Sequence, residues 1–372
     1  MRTLPLHSGE KLHLKGFPRA ALEHLLQQWG QPRYRAVQLM EWLYAKGVED
    51  FTAMTTLPQE LRRHLATECT LQTVHAERWE KSQRDGTVKF LFRLPDGAAI
   101  ESVLIPAEDS EGRLRRLTLC VSTQVGCPLS CVFCATASLR LRRNLNAAEI
   151  VDQLLQVQRL TGLRVTNLVF MGMGEPLLNL EAVLQAVHIW TDPHSGLLSP
   201  RRITLSTAGL VPEIYRLAED TARIRLAISL HTTDQALRER LMPIARRYPL
   251  QELQKAARYY VERTKRPITY EYILFDHLND SPTDADALAR FVRVTPRAKV
   301  NLIPFHPIEF VHPTGIAATL RPSPPERIHA FRERLRSHGI PVMLRSSSGI
   351  DIKAACGQLA LSGERTVTYS GP

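Results

Sequence analysis

Three cysteines within eight residues frame the chemistry open to this chain. Cys127, Cys131 and Cys134 follow C-x3-C-x2-C spacing in the stretch QVGCPLSCVFCATASLRLRR. Thiolates this close on one loop can grip an iron–sulfur cluster, which proteins hold through cysteine sulfur. A cubane has four irons, so three ligands leave one iron free to chelate a small molecule. Two other readings stand beside this one. A structural zinc site takes four N or S ligands, and the fourth would have to come from Cys120, Cys356 or a histidine. Three unconnected cysteines in a buried loop are the remaining possibility. For an open iron, an amino-acid head group with its amine and carboxylate is a fitting chelator. The stretch MGMGEP, residues 171–176, offers glycines for close backbone approach and Glu175 as acceptor for an ammonium.

Positioning such a site requires a rim where several segments meet. Short apolar β-type runs are expected at 118–122, 166–171, 202–206, 225–229, 268–275, 299–303 and 342–345. Helical patterns alternate with them at 147–161, 180–191, 211–219, 234–241, 250–263, 283–294 and 324–338. Repeated βα units imply an α/β fold with a parallel sheet, and six or more in series point to a complete or partial (β/α) barrel. Active residues of such barrels come from the C-terminal strand ends. That rule gathers the cysteine loop, Gly174 and Glu175, Ser206, the triplet Ser229, Leu230 and His231, and His306 on one rim.

Ahead of the barrel, residues 16–67 read as a small helical module and 71–106 as short strands with turns at 84–86 and 95–97. Trp29 and Trp42 fall on the apolar periodicity and read as core. Glu101 lies on the last of those strands among Ile100, Val103, Leu104 and Ile105, and spacing alone gives it no role. The organisation expected is an accessory domain over 1–108, a barrel over 109–350 and a tail over 351–372.

Composition narrows the class. The 372 residues are 44% hydrophobic and 23% charged, ordinary for a folded soluble protein. No apolar leader opens the chain and no apolar run approaches the roughly 18 residues that span a bilayer. Six cysteines in such a length make no disulfide scaffold and fit a reducing cytoplasmic setting. An excess of 48 Lys and Arg over 37 Asp and Glu, a formal charge of +11, favours a polyanionic partner, nucleic acid first.

GCPLSCVFCAT, MGMGEP and the C-terminal AACGQL together resemble the radical S-adenosylmethionine (SAM) adenine methyltransferases of ribosomal RNA and tRNA. The likeness runs from about Gly16 to Leu359 and is strongest to the dual-specificity family that methylates adenine C2. It implies a radical SAM type partial barrel, a [4Fe-4S] cluster on Cys127, Cys131 and Cys134, and SAM on the open iron. It also implies a SAM pocket of Gly174, Glu175, Ser206, Ser229, Leu230 and His231. His306 stands in NLIPFHP where the family carries asparagine, and its imidazole can still donate a hydrogen bond. Read alone, Cys356 is a small buried residue. The resemblance instead makes it a methyl carrier: one SAM methylates its sulfur, and a second SAM supplies a radical that takes a hydrogen from that methyl group. The carbon then adds to adenine, Cys120 releases it through a transient disulfide, and Glu101 accepts a proton. An aromatic adenine C–H carbon is not nucleophilic, so direct displacement from SAM fails there and covalent carriage has a purpose. The substrates implied are 23S rRNA at the peptidyl-transferase centre and an anticodon-loop adenosine of tRNA, met by a monomer with an external electron donor such as flavodoxin. Residues 198–202, 241–244 and 349–359 also resemble the sister family that methylates C8 and confers antibiotic resistance. A non-catalytic iron–sulfur RNA-binding module needs the cluster and the basic surface but has no use for Cys120 or Cys356.

Overall fold

The computed structural model describes residues 11–308, 311–345 and 347–361. A short strand β1 (Leu12–His13) runs parallel to β2 (Cys69–Thr70), and between them lie α1 (Arg19–Gln28), α2 (Tyr34–Met40) and α3 (Gln59–Glu68). Pro18 and Pro58 sit at the starts of α1 and α3, where no helical N–H is lost. Leu22, Leu25 and Leu26 of α1 meet Leu39, Met40, Leu61 and Leu65 in the module's core. Trp29 and Trp42 are partly buried and pack against that core, and the Trp42 indole donates to Thr56 Oγ1 at 2.7 Å. α2 runs on into a π turn at Glu41–Ala45.

A buried ion pair locks this module onto the rest of the chain. Lys15 Nζ donates to Asp152 Oδ1 at 2.6 Å, and both side chains are almost wholly buried. The other Asp152 oxygen accepts from the Thr73 hydroxyl and from the Val74 N–H. Asp152 belongs to α4 (Ala147–Thr161), which starts with a capping box between Asn146 and Glu149 and ends on Gly162 with φ +66°.

The strands that follow form one ten-stranded sheet. Its antiparallel part is β3 (His75–Lys81), β4 (Val88–Arg93), β5 (Ala99–Glu108) and β6 (Leu114–Cys120). β7 (Gln124–Val125) and β8 (Arg143–Asn144) form a separate small ribbon that brackets the cysteine loop. From β6 the sheet continues in parallel through β9 (Asn167–Phe170), β10 (Ile203–Thr207), β11 (Arg225–Ser229), β12 (Ile268–Leu274), β13 (Lys299–Pro304) and β14 (Val342–Leu344). Between those strands run α5 (Leu180–Thr191), α6 (Val211–Glu219), α7 (Gln235–Leu241), α8 (Leu250–Thr264), α9 (Pro282–Arg293), α10 (Ile316–Thr319) and α11 (Pro325–Ser337). Inward side chains from β5 round to β14 line a single cavity, so the sheet curves into a partial barrel with an open seam. The sheet crosses the charged linker at 107–112 without a break, a pairing that the alternation of 71–106 did not predict.

The chain after β14 closes the seam. Asp351 accepts from the Ser82 hydroxyl at 2.8 Å, Lys89 Nζ donates to the Ile352 carbonyl at 2.5 Å, and Gly349 N–H donates to Asp85 at 2.8 Å. Further along, Glu101 Oε2 accepts from the N–H groups of Ala360 and Leu361 at 3.1 and 3.2 Å. The tail is thereby bonded to β4, β5 and the turn between β3 and β4, which carries Cys356 into the barrel.

Candidate active site

Two adjoining cavities occupy the barrel. The smaller, about 160 Å³, lies at the C-terminal rim, and the larger, about 310 Å³, extends from there toward the N-terminal strand ends. Met171, Glu271, Ile303, Arg345, Cys356 and Gly357 line both and form the boundary between them.

Cys127, Cys131 and Cys134 all line the smaller cavity. Among the described residues no three His, Cys, Asp or Glu side chains are gathered closely enough to hold a single metal ion. Burial raises the proton affinity of all three, Cys127 to about 12, and a bound cation would offset that cost by taking them as thiolates. Phe133 inside the loop packs edge-on against the His231 ring, with centroids 4.7 Å apart. The tail holds the other side: Ala135 N–H donates to the Gly357 carbonyl at 2.7 Å and the Thr136 hydroxyl to the Leu359 carbonyl at 2.6 Å. Gly357 has φ +81°, and a Cβ there would sit 3.0 Å from the Phe133 carbonyl oxygen, so this approach of tail to loop needs glycine.

Gly174, Glu175, Ser206, Ser229 and His231 line the same cavity. A Cβ on Gly174 would lie 2.6 Å from Gln124 Cβ, and φ is +98°, so the residue before Glu175 must be glycine. Glu175 is buried with one oxygen accepting from Ala208 N–H at 2.8 Å and the other from Leu177 N–H at 3.1 Å. Burial outweighs those bonds and raises its pKa to about 7. His231 Nδ1 accepts from Ile273 N–H at 3.1 Å, which leaves Nε2 carrying the ring proton. Burial and the nearby Arg238 lower its pKa to about 3, so the imidazole is neutral. Leu230 is placed differently: its side chain is in the core and its N–H donates to the Glu271 carbonyl at 3.0 Å. His306 opens on the larger cavity, and burial and Arg345 lower its proton affinity.

Cys120, at the end of β6, and Cys356 line the larger cavity together. Both are free thiols, and burial pushes Cys120 up to about 12. Glu101 is on the inward side of β5 but lines neither cavity. It lies under the tail, 3.8 Å from Lys89 Nζ, with its proton affinity raised chiefly by burial.

Sequence reasoning passed over several residues here. Arg345 lines both cavities and its Nη1 lies 3.5 Å from Met171 Sδ; it follows the last parallel strand, so the rim rule could have found it. Glu271 and Asn301 interrupt apolar strand runs at inward positions, a signal that alternation carries. Arg238 had no such signal, because QALRERL reads as a solvated helix face. It is buried, bonded to the carbonyls of Ala208 and Ser229 at 2.8 and 3.1 Å, with Nε and Nη1 unpartnered.

At the N-terminal mouth of the larger cavity stand Arg116, Arg202, Arg225 and Lys299. Burial and mutual repulsion depress the proton affinity of Arg225 and Lys299, the mark of cations gathered without enough counter-charge. Two further arginines are already engaged. Arg143 pairs with Asp96 at 2.8 Å and Glu149 at 2.8 Å, and Arg115 with Asp109 at 2.8 Å.

A three-cysteine loop on the C-terminal rim of a parallel βα sheet defines the class: this is a radical SAM protein, and the Radical SAM superfamily model matches residues 121–289. The model for the ribosomal RNA large subunit methyltransferase N-terminal domain matches residues 12–71. The chain is 44% identical to a probable dual-specificity RNA methyltransferase RlmN of Salinibacter ruber over 95% of both chains. It is 46% identical to the dual-specificity RNA methyltransferase RlmN of Geobacter sulfurreducens, over 94% of this chain and 92% of that one. The crystal structure of a radical SAM methyltransferase from Sphaerobacter thermophilus superposes with TM-score 0.84 at 43% identity, covering 94% of this chain and 99% of that one. The chain belongs to the RlmN family of radical SAM RNA methyltransferases. Among the described residues no helix is long and apolar enough to cross a membrane.

The Glu175 titration gives a measurable pH dependence. A carboxyl with pKa near 7 when folded and 4.5 when unfolded contributes stability below about pH 4.5 that is lost as pH rises toward 7. In protein free of cluster and SAM, the advantage of wild type over Glu175→Gln should therefore shrink by about 3 kcal/mol across that window. Urea unfolding at a series of pH values reads it, and a pH-independent difference would contradict the assignment.

Proposed function

We propose that the protein methylates C2 of an adenosine in 23S rRNA and of an anticodon-loop adenosine in tRNA, using Cys356 as covalent carrier. The observation that carries this reading is the position of Cys356: it lines the cavity of the cysteine loop and also the larger cavity that Cys120 lines. A carrier must face both the source of the carbon and its acceptor. Neither a zinc site nor a passive RNA-binding module needs that placement.

Cys127, Cys131 and Cys134, which line one cavity beside Glu175, would hold a [4Fe-4S] cluster through their sulfurs and leave one iron open. Gly174, Glu175, Ser206, Ser229 and His231 would seat SAM, the ionised Glu175 accepting from its ammonium, with Leu230 and His306 at the edges. When bound, these groups supply a methyl group and a hydrogen-abstracting radical, two SAM molecules serving each turnover. Cys356 keeps the transferred carbon as a thioether at the boundary of the two cavities. Once that carbon is joined to adenine, Cys120 sulfur bonds to Cys356 sulfur as the sulfur–carbon bond breaks, and its electron pair stays with the departing carbon. Glu101, the expected proton acceptor, lies behind the carrier's tail and outside both cavities; its two bonds to the tail would hold the carrier in place, and its raised proton affinity suits the acceptor role once the tail shifts.

The basic mouth at Arg116, Arg202, Arg225 and Lys299 suits phosphates flanking an extruded nucleotide. The accessory domain over 1–108, which includes the helical module matched at 12–71, would supply a further RNA contact. Reconstitution without oxygen, with SAM, an electron donor such as flavodoxin and RNA fragments, followed by mass analysis of the nucleosides, tests the assignment. It should yield 2-methyladenosine; 8-methyladenosine alone would move the reaction to the sister regiochemistry, and unmodified RNA would remove it.

A further inference from the structure

We propose that Glu271 and Asn301 form a subsite for the exocyclic amino group of the target adenine, the group by which the enzyme tells adenine from other purines. The proposal rests on the adenosine reading above.

Glu271 on β12 and Asn301 on β13 are direct partners in the parallel register. Their side chains point inward and both line the cavity that holds Cys120 and Cys356. Both are more than nine-tenths buried, at 5% and 8% exposure. Asn301 Nδ2 donates to Glu271 Oε2 at 2.7 Å, which orients the amide with Glu271 as a carboxylate facing Arg345. Asn301 Oδ1 is therefore turned the other way, a buried acceptor with no partner. A buried acceptor without a donor is costly, and in a native site it marks where a ligand donor belongs.

The two side chains present a carboxylate oxygen and an amide oxygen from neighbouring strands. That is an acceptor pair for a group carrying two N–H bonds. The adenine amino group has two and lies in the base plane; guanine and hypoxanthine place a carbonyl oxygen there, which both acceptors would repel. The cavity volume of about 310 Å³ falls within the range of sites that enclose small ligands. Glu271 is already engaged by Asn301, and the pair faces the cavity as acceptors, which suits recognition of the base.

The test compares two RNA hairpins that differ at one position, adenosine in one and purine riboside, which lacks the amino group, in the other. For each protein the ratio of kcat/KM on the two hairpins is taken within a single reconstituted preparation. The ratio is insensitive to the fraction of protein that is folded or loaded. Wild type should favour the adenosine hairpin, and Glu271→Gln and Asn301→Ala should each reduce that preference by about 10- to 100-fold, chiefly by losing rate on adenosine. An unchanged ratio in both variants would overturn the subsite while leaving adenosine methylation intact. Failure of wild type to methylate the adenosine hairpin at all would overturn both readings.

Discussion

Cys356→Ala should lose methylation by at least about 10⁴-fold, the scale seen when a covalent nucleophile is removed. RNA affinity and the visible absorbance of the reconstituted cluster should remain near wild type. The reason is positional: Cys356 is the thiol that lines both cavities, and Cys120 lines only the larger one. Its removal deletes one small, half-buried side chain, while the tail stays bonded through Gly357, Leu359, Ala360 and Leu361. Cys120→Ala should fail differently. The carbon can still be loaded on Cys356 and joined to RNA, but without the second thiol nothing displaces it. A protein–RNA adduct should then persist on a denaturing gel. Full turnover by Cys356→Ala, or identical behaviour of the two variants, would contradict the assigned roles.

The second large effect is on stability. Asp152→Ala should cost about 3–5 kcal/mol in unfolding free energy, because it strands the buried Lys15 ammonium. The Thr73 hydroxyl and Val74 N–H lose their acceptor at the same time. These groups tie the N-terminal module to α4, so the loss should be seen as earlier detachment of the module in limited proteolysis and as a lower urea midpoint. A change under about 1 kcal/mol would mean that water or a neighbour replaces the carboxylate.

Much of the barrel was legible because its helices carry their own punctuation. α4 is expected at 147–161 and observed there, bounded by Asn146, Glu149 and Gly162. α5 and α6 likewise occupy their expected spans, and Pro212 at the start of α6 marks its first turn. Element type therefore followed from periodicity, and strand ends located the cysteine loop, Gly174, Glu175, Ser206, Ser229 and His231 on one rim, while Leu230 turned into the core and His306 onto the larger cavity. Long-range pairing did not. The strands before residue 108 read as a separate hairpin unit, yet their register with β6 extends the barrel sheet, and no local pattern encodes that partner. The tail over 347–361 has no periodicity to read, and its path depends on side chains such as Asp85, Lys89 and Glu101 far away in the chain. Charge was similarly ambiguous: Arg143 ends the basic run RLRR at 140–143 but is engaged by Asp96 and Glu149, whereas Arg225 is drawn from an apolar-looking strand to the cavity mouth.

Carriage of the carbon on the tail thiol can be measured without RNA. Reconstituted protein incubated with SAM alone, digested and examined by peptide mass spectrometry, should show the peptide containing Cys356 heavier by one methyl group, with Cys120 unmodified. A Cys356 peptide that never gains this mass, while adenosine in added RNA is still methylated, would contradict the account.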